Sequence, residues 1–123
     1  MNFNIMSKAS STDMSSDITI DWFDIQAAPR AQADKTSVLF KYENITGTLD
    51  GVVTVYVSND NDSTVNTQLL AGTFAVDTDN KVDELYLTMP YAKMKIVYTA
   101  NSITAGTLRA DLCNIIYKEN RSN

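Results

Sequence analysis

The chain has 123 residues, 44% of them apolar and 20% charged, which suits one folded domain and not a disordered tail. Its net charge of -5, with only ten scattered Lys and Arg, disfavours a phosphate backbone as partner, so no nucleic-acid role is expected. The absence of histidine removes the commonest general base and metal ligand together.

Residues 1–16 ("MNFNIMSKASSTDMSS") are polar and Ser-rich. Only Met1, Phe3, Ile5, Met6 and Met14 are apolar anchors in this stretch. The pattern predicts an extended N-terminal arm, with Phe3, Ile5 and Met6 as residues that bind a partner surface, and a sandwich domain over 17–123. The start lacks a signal-peptide h-region and no run approaches membrane-spanning length, so synthesis in a cytoplasm is expected and no membrane role.

From Asp17 the chain reads as strand after strand. "ITIDWFDI" alternates Ile18, Ile20 and Trp22 against Thr19, Asp21 and Phe23. "SVLFKYENI" sets Val38, Phe40 and Tyr42 on one face. "VVTVYVS" does the same with Val53, Val55 and Val57, opposite Thr54 and Tyr56. "LLAGTFAV" and "DELYLTM" are less regular. "YAKMKIVYT" turns Ala92, Met94, Ile96 and Tyr98 inward and Lys93 and Lys95 outward. "GTLRADLCNIIY" groups Leu108, Ala110 and Leu112 against Arg109 and Asp111. Period-two alternation with β-branched and aromatic residues is the strand signal. Turn chemistry separates the runs at 49–51, 58–62, 77–80 and 99–102, and Pro90 sits between two of them. Only 27–35 reads as a long loop, with room for a helical turn. This spacing of strands is that of an antiparallel β-sandwich, jelly-roll-like, with roughly seven or eight strands.

The chemistry-bearing residues form no catalytic set. Asp60, Asn61, Asp62 and Ser63 offer oxygen ligands, and Asp77, Thr78 and Asp79 form a second acidic tip. Neither fits an EF-hand register, and solvated hairpin tips account for both, so no metal is expected. Asp21 and Asp24 flank Trp22, but a regular strand puts the two acids on opposite faces. The tyrosines at 42, 56, 86, 91, 98 and 117 could line a sugar, with cross-strand packing the plainer account. Cys113 lies in an apolar context that predicts a buried, inert thiol. Sequons at Asn44, Asn61 and Asn120 carry no weight without secretion. No enzyme and no cofactor are expected.

The blocks "GTLDGVVTVYVSND" (47–60) and "YAKMKIVYTANSITAGTLRADL" (91–112), in this order after "ITIDWFDIQ", resemble a pattern of small β-sandwich virion proteins of tailed bacteriophages. The resemblance spans roughly residues 18–117. The family's usual Trp after the SND tip is missing, with Val65 and Leu69 in that region. The resemblance implies a non-enzymatic auxiliary or decoration protein of the capsid, present in multiple copies in the virion and bound to the major capsid protein or other virion subunits. The alternative it leaves open is a carbohydrate-binding module, or an adhesion domain associated with a tail or head fibre.

Overall fold

The computed structural model describes residues 2–25, 35–60, 65, 67–87 and 91–116, with backbone alone for 2–12, 35 and 114–116. Eight strands run through them: β1 (Asn2–Asp13), β2 (Ile18–Asp24), β3 (Lys35–Gly47), β4 (Gly51–Ser58), β5 (Leu69–Val76), β6 (Lys81–Leu87), β7 (Lys93–Thr99) and β8 (Ile103–Ile116). They form two four-stranded antiparallel sheets, ordered β1-β8-β3-β6 and β2-β7-β4-β5. Strand 1 pairs with 8, 2 with 7, 3 with 6 and 4 with 5, the nesting of one long hairpin. Pairing of β3 with β8 and of β4 with β7 closes the rolled hairpin into two sheets. This is the jelly-roll arrangement of a β-sandwich.

The core lies between the sheets, where the alternation predicts it. Val38, Phe40 and Tyr42 of β3 meet Val53, Val55 and Val57 of β4. Met94, Ile96 and Tyr98 of β7 and Leu108, Ala110 and Leu112 of β8 complete the layer. Phe40 and Phe74 pack as a tilted pair, ring centroids 5.6 Å apart.

Three sequence expectations differ from the structure. Residues 1–16, expected as an arm outside the sandwich, instead supply edge strand β1, which runs antiparallel to β8 from Asn2↔Ile116 to Asp13↔Thr107. Met14, just past it, is fully buried. Edge strands need backbone pairing on one side only, so the Ser- and Thr-rich run joins the sheet without an alternating apolar face. The second difference is Trp22. A β-bulge between Ile20 and Phe23 places two residues, Asp21 and Trp22, opposite one position of β7. Phe23 thereby packs on the core, and Trp22 lies over Lys95 on the outer face. The third is Cys113, half-buried outside the core and paired in register with Ser37. The loop expected at 27–35 lies, but for Lys35, outside the described residues.

Two glycines of the 47–51 turn are required by close approach. Gly47 has φ +91°, and a Cβ there would stand 2.5 Å from the carbonyl oxygen of Ser102. A Cβ on Gly51 would stand 2.7 Å from the Tyr98 ring. Tyr98 is fully buried and its hydroxyl donates to the Met14 carbonyl at 2.8 Å. The Met14 N–H in turn donates to the Gly106 carbonyl at 3.0 Å. Met14 is thus tied through its carbonyl to one sheet and through its N–H to the other.

Tyr98→Phe is expected to leave the Met14 carbonyl buried without a donor and to cost about 1–3 kcal/mol in chemical denaturation, with the strand circular-dichroism signal kept. Deleting residues 1–16 removes a paired edge strand and a buried methionine, whose loss alone is worth about 2–5 kcal/mol. The truncated chain should therefore lose its cooperative melt. A truncated protein that melts like the full chain would show that β1 contributes nothing to the sandwich.

Candidate functional site

The outer faces of the two sheets differ in chemistry. On the β1-β8-β3-β6 sheet, Lys41 pairs with Glu43 at 3.9 Å and Arg109 with Asp111 at 3.0 Å, so this face is charged and hydrated. The β2-β7-β4-β5 sheet presents Thr54, Thr73 and Val97 in register across three strands, a row without charge. Beside it runs a second row in which Tyr56 is opposite Lys95 on one side and Leu70 on the other. The Lys95 ammonium sits 5.3 Å from the Trp22 ring centroid and 5.4 Å from that of Tyr56. Two aromatic faces hold this cation, and among the described residues no carboxylate forms an ion pair with it. The bulge in β2 is what aims Trp22 there; the single-strand alternation has no means of showing it.

At the flank where β5 and β6 form the edges of their sheets lies a shallow cleft of about 200 Å³. Leu69, Leu70, Tyr86, Leu87 and Tyr91 are among its lining residues. Leu69, Leu70 and Tyr86 are 59%, 64% and 70% exposed. Glu84, on the same face of β6 as Tyr86, is exposed and has no ion pair among the described residues.

The acidic tips expected as candidate ion ligands serve other ends. The Asp60 N–H is bonded to Ser58 Oγ at 2.9 Å, and Asn59 Oδ1 accepts from the Ala92 N–H at 2.9 Å, pinning the turn to the start of β7. Asn61, Asp62 and Ser63 lie outside the described residues. Asp77 accepts from Lys81 at 2.9 Å and Asp79 from the backbone N–H of Ile45, also at 2.9 Å. Lys81 also reaches Asp83 at 3.6 Å, and Asp83 accepts from the Tyr42 hydroxyl at 3.0 Å. Burial raises the Tyr42 hydroxyl pKa well above its usual value, with the Asp83 charge adding to it. Burial likewise pushes Tyr98 up to about 12, with Asp50, Asp17 and Asp13 contributing. Both phenols stay protonated as hydrogen-bond donors.

Asp21 and Asp24 are both exposed, and Asp21 accepts from the Trp22 N–H at 2.9 Å, so it braces the bulge. Of the six tyrosines, Tyr42 and Tyr98 are core residues, Tyr86 and Tyr91 line the cleft, Tyr56 lies on the outer face and Tyr117 is outside the described residues. They do not share one face. Phe3, Ile5 and Met6 stand in β1 opposite Ile115, Cys113 and Leu112. Among the described residues, no three His, Cys, Asp or Glu side chains cluster closely enough to hold a metal ion.

No family model matches the chain, and no curated protein matches it. Solved structures do. The crystal structure of the infectious bursal disease virus VP2 subviral particle superposes with a TM-score of 0.57 at 14% identity, over 96% of this chain and 33% of that one. The structure of infectious bursal disease virus Gx strain gives 0.56 at 14% identity, over 97% of this chain and 33% of that one. The T=1 particles derived from this virus give 0.55 at 12%, over 95% and 32%. The chain spans about a third of the length of these proteins. At such identity the likeness is one of fold, and the fold is viral-capsid-like.

The carboxyl of Asp13 is held below its ordinary 3.8 by the Ser15 backbone N–H and hydroxyl, and that of Asp77 by the hydrogen bond and charge of Lys81. A depressed carboxyl pKa stabilises the fold above 3.8, and the gain is lost as pH falls through the lower folded values. The melting temperature is expected to hold between neutrality and about pH 5 and to fall below pH 4. Asp77→Asn should flatten that acid limb. An equally steep limb in the variant would exclude the Asp77–Lys81 pair as a contributor.

Proposed function

We propose that this chain is a non-enzymatic structural protein of a virion, and more narrowly an auxiliary capsid protein of a tailed bacteriophage. The observation that carries the reading is the nested strand order, 1-8-3-6 over 2-7-4-5, shared as a fold with the proteins of viral particles. Further support comes from the order of motifs at 47–60 and 91–112 and from a sequence without histidine. Its outer surface offers contacts instead of a catalytic pocket: an uncharged sheet face, an exposed leucine pair and a single shallow cleft among those described. In this reading the chain binds the major capsid lattice in many copies, and Phe3, Ile5 and Met6 of β1 lie at the rim that meets a neighbouring subunit. An acidic body suits an outer surface away from packaged nucleic acid.

The test is co-sedimentation. Recombinant chain should saturate purified particles that lack it, with a fixed number of copies per capsid protein, and should be found by mass spectrometry in native particles at the same ratio. Failure to bind, together with retention on a glycan array, would replace the capsid reading with an adhesion role.

A further inference from the structure

We propose that the β5–β6 flank and the adjoining outer face form a self-complementary interface by which two copies of this chain pair. The inference deepens the capsid reading and rests on it for the expectation that copies meet at all.

The surface has three zones in sequence. The first is cationic: Lys95, held between Trp22 and Tyr56 with no carboxylate partner. The middle is apolar: Leu69, Leu70 and Tyr86, the most exposed large apolar side chains of the described residues. The third is acidic: Glu84, exposed and without an ion pair, one pleat from Tyr86 on β6. Lys95, Tyr56 and Leu70 stand on successive strands, so the cation lies about 10 Å from the leucine, two strand spacings away. Glu84 lies about 7 Å from Tyr86, two residues along one strand. The charged zones thus flank the apolar centre at comparable reach and with opposite sign.

A surface ordered as cation, apolar, anion is complemented by the same order reversed. A second copy turned about a two-fold axis through the leucines presents that order. Each Lys95 then faces the other copy's Glu84, and leucine meets leucine at the centre. Elsewhere two bodies of net charge -5 repel; here each contact joins opposite signs. The aromatic rings keep the Lys95 head in place before the partner arrives, so little side-chain freedom is lost on pairing.

The experiment is sedimentation velocity on the full chain over a concentration series, with circular dichroism as a check that each variant is folded. Wild type should show a reversible monomer–dimer equilibrium. Lys95→Glu and Glu84→Lys each place like charges at both ends of the interface and should raise the dissociation constant roughly tenfold or more. Mixing the two single variants restores opposite signs at both contacts, so the mixture should form a heterodimer of near wild-type affinity. The double variant should dimerise again for the same reason, and Leu70→Ser should not dimerise. Wild type that stays monomeric, single variants that pair as wild type does, or a folded mixture that fails to pair would each overturn the interface. None of these results bears on co-sedimentation with particles, so a monomeric chain that still decorates them sinks the interface and leaves the capsid reading standing.

Discussion

Met14 holds the two sheets together at one corner, and the sandwich closes around that tie. Its N–H is bonded to Gly106 in the first sheet and its carbonyl receives the Tyr98 hydroxyl from the second. Tyr98 can reach it only because Gly51 has no side chain to meet the ring. A buried carbonyl without a donor is costly, so the three positions constrain one another. The position of Gly106 against Met14 Sδ, 3.4 Å from where a Cβ would stand, tightens the same corner. From there β1 runs along β8 and β2 along β7, and the remaining strands nest inside.

The acidic excess has a structural use along the loops. Asp17 accepts the Ala100 N–H, Asp50 the Ser102 N–H and Asp79 the Ile45 N–H, each at 2.8–2.9 Å. These carboxylates lock connections between strands far apart in sequence, and they do so as acceptors for backbone donors that the sheets leave over. Groups that look in sequence like ion ligands are here held by the protein's own N–H and ammonium groups.

Much of this was legible in the residues. Seven of the eight strands and the inward faces of β3, β4, β7 and β8 follow from alternation, because burial on one side of a sheet imposes a period of two. Strand β1 was not legible, since an edge strand held by backbone pairing needs no apolar rhythm, and Ser and Thr do not advertise one. Trp22 and Phe23 exchange faces because a single extra residue shifts the register, which only the partner strand reveals. The surface of Lys95, Leu70, Tyr86 and Glu84 is assembled from three strands and two sheets, so no window of sequence contains it.

The nested pairing also sets an order in time. β4 and β5 can meet once a short loop closes, but β1 must wait for β8, made some hundred residues later. On a ribosome, the first strand emerges long before its only neighbour exists. Closure of the outermost pair therefore carries the largest loop entropy, and such topologies fold slowly. Until then both β1 and the inner sheet edge stand open to other chains, so high local synthesis of this protein brings a hazard of mispairing that the finished fold conceals.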